Sequence, residues 1–434
     1  MIKYIAMLFV TVLTSMYFFP FEFFFLPGVN TKMMMAVVGL IIFGYRVAQS
    51  KYGYMSKNLF LLTMFGAGVS FFGFLSVTVN ETPDYAYATY LMSMWVWIGG
   101  AYAVCNVIKG VHGDIDFRLV CNYLTAVCVS QCVLAMMIDN MPEMKRAVDS
   151  VVMQGQSFLN ESNVRRLYGI GASLDVAGSR FSVVLVMLAF VIKETFEKHE
   201  HYMLSVAYLI SFFAIAVMGN MVARTTTVGL VVALVFWLLD SGLLKLQVNR
   251  EYRALLGTFL MVLLVAVPLL TMLYETNPET RKLLRFAFEG FFSLAEQGSW
   301  EVASNDKLRS MYVLPETMKT WFIGDGYFSS PQNVDPYYTG PIRGGYYMGT
   351  DVGYLRFIFY FGTLGLAAFS LFMGKVTQLC IRQFKEYKIV FLMLLAVNFI
   401  VWFKVATDIF LAFALFLMLP KEDGEDVATD DVTT

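Results

Sequence analysis

The sequence predicts an all-α membrane protein, a polytopic bundle of about twelve transmembrane helices with a large extracytoplasmic loop. Composition is the first reason, because the 434 residues are 58% hydrophobic and 15% charged, against roughly 45–50% and 25% in soluble domains. The second reason is that apolar residues form blocks of about 20, enough to cross roughly 30 Å of hydrocarbon. The third is that Lys and Arg alternate between rich and poor loops along the chain.

The apolar blocks define the predicted spans of a single transmembrane domain, residues 1–420. In chain order they are 4–19, 33–48, 58–79, 86–108, 117–138, 174–196, 202–218, 224–239, 254–273, 351–373, 388–403 and 405–419. Only Lys404 divides the last two, so one tilted span is an alternative that would place the C-terminus outside. Residues 421–434 form an acidic tail, which we expect to be cytoplasmic and disordered.

Basic residues orient these spans, because cytoplasmic loops of membrane proteins are enriched in Lys and Arg. One side carries Lys3, Arg46, Lys51, Lys57, Lys109, Arg118, Lys193, Lys198, Lys245, Arg250, Arg253, Lys375, Arg382, Lys385, Lys388 and Lys421. Short loops of the other side carry only Lys32, Arg224 and Lys404. Both termini are therefore expected in the cytoplasm.

Two long loops, residues 139–173 and 274–350, fall on the extracytoplasmic side, and long loops are where function concentrates. The second opens with an amphipathic stretch, 279–294, in which Leu284, Phe288 and Phe291 share a face. Such a helix suits the membrane surface or the top of a cavity. Packing against other loops is the alternative.

Several classes of site are disfavoured by the sequence. The net charge of −1 gives no sign of a nucleic-acid partner. The five cysteines lie in or beside apolar stretches and form no CxxC, which favours buried thiols over a zinc or redox site. P-loop, HExxH and GxSxG motifs are missing from the chain. We therefore expect neither a metal nor another cofactor, and any reaction must draw its energy from an activated substrate.

Charged residues at the predicted extracytoplasmic face are the candidates for a site, since charges near a membrane are costly. They are Arg165, Arg166, Arg180, Arg224, Asp351 and Arg356. Arginine is always charged and binds phosphate oxygens through two parallel N–H groups. The set therefore predicts a lipid-linked phosphate or diphosphate as ligand. Anchoring of single arginines to lipid head groups or loop carbonyls is the alternative.

Two carboxylates in the last third of the chain have more than one interpretation. Asp351 could act as a general base or hold a hydroxyl, or it could simply be stabilised by the dipole of the helix that follows. Lys404 and Asp408 have i,i+4 spacing, which predicts that they pair with each other.

Four segments resemble, in order, the bacterial O-antigen polymerase and O-antigen ligase superfamily. They are residues 166–181 (Arg-Leu-Tyr-Gly-Ile-Gly…), 221–230 (Met-Val-Ala-Arg-Thr-Thr-Thr…), Arg309 with 321–327 (Trp-Phe-Ile-Gly-Asp-Gly-Tyr), and 349–366 (Gly-Thr-Asp-Val-Gly-Tyr-Leu-Arg…). A large loop before the last helices matches the family as well, whereas the first five spans match only in kind. Ligases of this family typically carry a histidine where this chain has Asp351, which favours a polymerase.

The resemblance implies a metal-independent membrane glycosyltransferase that joins undecaprenyl-diphosphate-linked oligosaccharides at the outer face of the bacterial inner membrane. Arg166, Arg180 and Arg224 would neutralise the departing diphosphate. Asp351 would orient or deprotonate the acceptor hydroxyl. The residues that would position substrate are Arg309, Arg343 and Tyr354. Membrane lipid, a chain-length regulator and a flippase are the further partners implied.

Two other classes of function stay open. A ligase would hand the polymer to lipid A-core. A transporter or flippase would move lipid-linked saccharides, but such proteins usually show internal repeats and broken helices with polar residues at the midplane. We find no repeat in the sequence, and its polar residues collect at one face. A receptor or scaffold is a further alternative.

Overall fold

The computed structural model describes residues 2–49, 56–153, 165–243, 250–341 and 345–420. Its helices are α1 (Ile2–Phe18), α2 (Thr31–Gln49), α3 (Lys57–Asn80), α4 (Tyr90–His112), α5 (Phe117–Asn140), α6 (Pro142–Val151), α7 (Leu174–Glu197), α8 (Tyr202–Val222), α9 (Thr226–Asp240), α10 (Arg250–Thr276), α11 (Pro278–Ala287), α12 (Glu289–Gln297), α13 (Ala303–Ser310), α14 (Met318–Phe322), α15 (Pro331–Val334), α16 (Gly353–Gln383), α17 (Lys388–Val401) and α18 (Phe410–Leu417). A 3₁₀ turn covers Tyr347–Gly349. Arg343 and the acidic tail lie outside the described residues.

The architecture is that of a multi-pass membrane protein. Eight helices in the described part of the chain, α2 to α5, α7, α8, α10 and α16, are long and apolar enough to cross a membrane. The helices α1, α9 and α17 are apolar but shorter, and α18 has eight residues. A helix overlaps each of the twelve predicted spans. The long α10 is the least buried of the eight, as expected where lipid replaces protein neighbours.

The helix α7 lies at the centre of the bundle. Its residues 181–189 are all fully buried, and α5, α8, α9, α10 and α17 pack around it. Close packing against α9 requires Gly229, because a Cβ there would lie 2.2 Å from the backbone of Ser182. Two charged residues, Asp175 and Arg180, lie in the first two turns of this helix.

A small sheet departs from the all-α prediction. Strands β1 (Glu22–Phe23), β2 (Leu26–Asn30) and β3 (Val152–Met153) pair antiparallel in the order β2-β1-β3. The sheet forms because a phenylalanine-rich hairpin follows α1 directly, and the rings of Phe21, Phe23 and Phe25 pack in series along it. Pairing with β3 joins this hairpin to the first long loop.

A break in α16 admits part of the second long loop into the bundle. Helical geometry is lost at Phe361 and Gly362, where Gly362 has φ +70°. The freed carbonyls of Phe359 and Tyr360 accept hydrogen bonds from the backbone N–H groups of Asp325 (2.6 Å) and Gly326 (3.2 Å). Irregular backbone inside a membrane protein needs such protein partners. The segment Gly324-Asp325-Gly326 of the second long loop is thus the element that satisfies the break.

The last apolar block is a hairpin and not one continuous helix. Near its open end, the Gln383 amide donates to the Leu419 carbonyl (2.5 Å). At its tip, the backbone N–H of Ile409 donates to Asn398 Oδ1 (3.2 Å). Residues 402–409 between α17 and α18 are not helical.

Candidate functional site

Most predicted site residues lie at one end of the bundle, which we call the loop end because it carries residues 274–341. An ion pair joins the two long loops there. Arg165 pairs with Asp139 (2.9 Å) and with Glu279. The two loops, which are far apart in sequence, therefore form one surface above the ends of the helices.

At this end, Asp175 in the first turn of α7 accepts two hydrogen bonds. One comes from Thr225 Oγ1 (2.5 Å) and the other from Lys404 Nζ (3.0 Å). The predicted pairing of Lys404 with Asp408 is therefore wrong. It assumed a helix, but residues 402–409 are not helical, so the two side chains do not share a face.

Asp351 lies just before α16 and is half-buried. No described residue donates a hydrogen bond to it or pairs with it. The N-cap of α16 is Val352, without a side-chain cap, so Asp351 does not cap the helix. Burial raises the pKa of Asp351 above its ordinary value, and the charges of Arg356 and Lys307 oppose that rise. Burial without a bonded partner favours the protonated form of a carboxyl group, so Asp351 is better suited to accept a proton than a solvated aspartate.

Arg356 is held next to Asp351 between two aromatic rings. Its Cζ lies 3.9 Å from the ring centroid of Phe328 and 3.3 Å from that of Tyr346. It donates to the Phe328 carbonyl (3.2 Å), while its buried Nε has no partner among the described atoms. Asp84 fixes this arrangement by accepting backbone N–H bonds from Phe328 and Ser329, both at 2.8 Å. Sequence reasoning missed Asp84; its one signal was an acidic residue in a short loop between apolar blocks.

Arg166 and Arg224 flank one aromatic ring of the second long loop. Their Cζ atoms lie 5.0 Å and 4.3 Å from the ring centroid of Phe286. The Nε of Arg166 is buried and lacks a partner within the described chain. We call Arg166, Asp175, Asp351, Arg356 and Lys404 the loop-end cluster, since Asp175 interacts electrostatically with Arg166 and Lys404, and Asp351 with Arg356, Asp175 and Lys404.

Arg224, in contrast, is already engaged. Its Nε donates to the Phe286 carbonyl (2.8 Å), and its Nη1 donates to Ser304 Oγ (3.1 Å) and pairs with Glu289 (2.5 Å). These contacts fasten α11 and α12 over the start of α9. A diphosphate would have to compete with Glu289 for this guanidinium.

A cavity of about 610 Å³ opens beside Arg224. Its lining mixes cations and anions, including Arg165, Arg285 and Glu296, and the last two pair at 2.6 Å. A neighbouring cavity of about 800 Å³ is apolar and lies between α10 and the α11–α12 pair, with Phe292 lining both. The predicted amphipathic stretch thus forms two helices between a polar and an apolar cavity.

Arg180 lies between one and two turns further along α7 than Asp175. It is only 7% exposed, and its Cζ lies 5.7 Å from the ring centroid of Phe19. It interacts electrostatically with Asp408, as does Lys32. We call Lys32, Arg180 and Asp408 the core cluster.

The remaining predicted site residues are not part of either cluster. Arg309 is exposed and lies 3.6 Å from Asp306. Tyr354 packs on Trp402 and Phe403 and donates to the Phe399 carbonyl (3.0 Å), so it braces α16 against α17.

No group of three or more metal-ligating side chains occurs within the described ranges. The five cysteines are buried free thiols. The loop-end cluster combines three cationic side chains with Asp351, a carboxylate that accepts no hydrogen bond from a described residue. No family model, curated protein or solved structure matches the chain.

Proposed function

We propose that this chain polymerises undecaprenyl-diphosphate-linked oligosaccharide repeat units into O-antigen, capsule or exopolysaccharide at the outer face of the bacterial inner membrane. In this proposal all twelve helices cross the membrane, both termini are cytoplasmic and the loop end faces outward. The observation that carries the proposal is Asp351, a half-buried carboxylate without a described partner, beside the cations of the loop-end cluster.

The reaction is a displacement at the anomeric carbon of the growing chain. A hydroxyl of the incoming repeat unit attacks that carbon, a new C–O bond forms, and the bond to the diphosphate oxygen breaks. Asp351 accepts the hydroxyl proton, a role that its raised pKa suits. The diphosphate leaves with its electron pair, and Arg166, Lys404 and Arg356 offset its charge. Of these, Arg166 and Arg356 each hold an Nε without a described partner.

A ligase is the less favoured enzyme, because Asp351 stands where ligases of the resembled family typically carry a histidine. One structural feature favours a transporter. The helix α16 is interrupted inside the bundle, and interrupted helices often mark transport sites. Transport would not require a proton acceptor at Asp351.

Asp351→Asn tests the proposal. Asparagine keeps the size of the side chain but cannot take up the proton, and loss of a positioned acid–base group typically costs about 10²–10⁴ in rate. We expect cells in which Asp351→Asn replaces the wild-type protein to carry single repeat units on their lipid and no ladder of longer chains. Membrane level and melting temperature should stay near wild type.

Other outcomes discriminate between the alternatives. Long polymer retained on undecaprenyl diphosphate would indicate a ligase, and lipid-linked units trapped on the inner leaflet would indicate a flippase. A full ladder from well-expressed Asp351→Asn protein would show that Asp351 is not part of the site. The proposal of a polymerase would then lose its main support.

A further inference from the structure

The core cluster combines three charges that come from three separate parts of the fold. Lys32 is in the first turn of α2, Arg180 is in the second turn of α7, and Asp408 is in the non-helical segment between α17 and α18. Lys32 and Arg180 each interact electrostatically with Asp408. Arg180 is buried, and Lys32 and Asp408 are half-buried. Charges inside a bundle are expensive, so a group of three calls for a physical reason.

The hydrogen-bond donors of this cluster are not satisfied by the described protein. Arg180 has a buried Nε without a partner, and none of the described residues accepts a hydrogen bond from its guanidinium. The described contact of the Lys32 ammonium is the ring of Trp97, 4.5 Å from Nζ to centroid. Asn398, 1% exposed, accepts from the Ile409 N–H beside Asp408 and leaves its Nδ2 unpartnered. Unpaired buried donors are costly unless something binds them.

The charge balance indicates what that ligand is. Two cations face one carboxylate, and Asp408 already accepts the backbone N–H of Phe410 (3.0 Å). The cluster therefore has one surplus positive charge and more donors than acceptors. A ligand with several acceptor oxygens and negative charge fits this imbalance, and the planar fork of arginine matches a phosphoryl group.

We propose that the core cluster is a second anion site, which binds a phosphate or diphosphate group separately from the loop-end cluster. One non-helical segment serves both sites, because Lys404 binds Asp175 at the loop end whereas Asp408 interacts with Lys32 and Arg180. The site itself follows from the unpaired donors. Its role rests on the proposed function: a reaction between two lipid diphosphates needs two anion sites to hold both at once.

Trp97 provides a reporter for this site. An anion that binds Lys32 changes the charge above the Trp97 ring, so its fluorescence should change. The experiment titrates sodium diphosphate, at constant ionic strength, into the full chain in phosphatidylcholine nanodiscs. We expect a saturable fluorescence change that Trp97→Phe abolishes. Trp300→Phe should retain it, because Trp300 is 54% exposed and lies in the connection that follows α12.

Substitutions of Lys32 test the cation directly. Lys32→Gln should weaken the apparent affinity for diphosphate about tenfold or more, because a charge-assisted bond is lost. Lys32→Arg should stay within about threefold of wild type. The same titration with undecaprenyl diphosphate identifies the source of the ligand: a response at lower concentration assigns a lipid head group, and a response to the soluble anion alone assigns a free one.

Several results would overturn the proposal. They are the lack of a saturable change in wild type, a change that survives Trp97→Phe, an unaltered affinity in Lys32→Gln, or an equal response to chloride. If Lys32→Gln does not fold, the two tryptophan variants still decide the matter. Binding is measured without polymerisation, so a failed polymerase proposal would leave this result standing, and the converse holds as well.

Discussion

At the scale of single residues, identical side chains at the loop end have different surroundings. Arg166 keeps a buried Nε without a described partner, Arg224 is held by three groups of the second long loop, and Arg309 is exposed. The roles available to them differ accordingly. Arg166 can receive an anion, whereas Arg224 can do so only by giving up Glu289.

Arg224→Lys separates these roles. Lysine keeps the charge but cannot reproduce the directed bonds to Phe286, Ser304 and Glu289. We expect the variant to lose most polymerising activity and to melt at a lower temperature in detergent. Arg46→Lys, a surface change whose guanidinium bonds only Tyr102 in the described structure, should be silent in both measurements.

Glu289→Gln identifies the reason for the loss. If Arg224 holds α11 and α12 in place, this variant should lower the melting temperature by a similar amount. A Glu289→Gln protein with wild-type stability and undiminished activity would show that Arg224 acts on the substrate instead. Normal polymerisation by Arg224→Lys would exclude both roles.

At the scale of elements, the break in α16 determines how the second long loop enters the bundle. Gly362 has φ +70°, and a Cβ there would lie 2.1 Å from the Phe322 carbonyl oxygen. A Cβ on Gly324, in the second long loop, would lie 2.5 Å from the Tyr360 carbonyl oxygen. The two glycines allow the second long loop to pack against the break in α16. This contact places Phe328 against Arg356.

Gly362→Ala should therefore be destabilising. An unfavourable backbone region costs about 1–3 kcal/mol, and the clash with backbone adds to this. We expect a clear fall in the melting temperature of the purified protein, with loss of polymer. Gly374→Ala, later in the same helix with open space around its Cβ, is the matched control and should be neutral or slightly stabilising. Equal stability of both variants would contradict the assigned role of the break.

At the scale of the whole molecule, the short loops that are rich in Lys and Arg lie at the end opposite to the long loops. Arg118 pairs with Glu200, and Lys193 with Asp240 (3.0 Å), at the end away from the loops. The second long loop instead meets the start of α9 through Arg224 and the break in α16. An excess of Lys and Arg in the short loops of one end predicts that this end faces the cytoplasm.

Reporter fusions test that orientation. We expect fusions after Lys198 and Lys385 to report the cytoplasm, because both follow basic loop segments. Fusions within residues 297–305, between α12 and α13, should report the outside. An alkaline phosphatase and a green fluorescent protein fusion at each site give opposite signals. A cytoplasmic signal from residues 297–305 would contradict an extracytoplasmic active site.

The sequence by itself determined the helical membrane architecture, because apolar blocks in lipid must satisfy their backbone groups within each segment. It also placed Arg166, Arg224 and Asp351 near one end, since loop charge and hydropathy are local properties. Only the tertiary structure decided which charges meet. Lys404 lies far along the chain from Asp175, and Arg224 from Glu289. Such pairs depend on helix packing, on an unwound segment and on a glycine break, none of which a periodic pattern records.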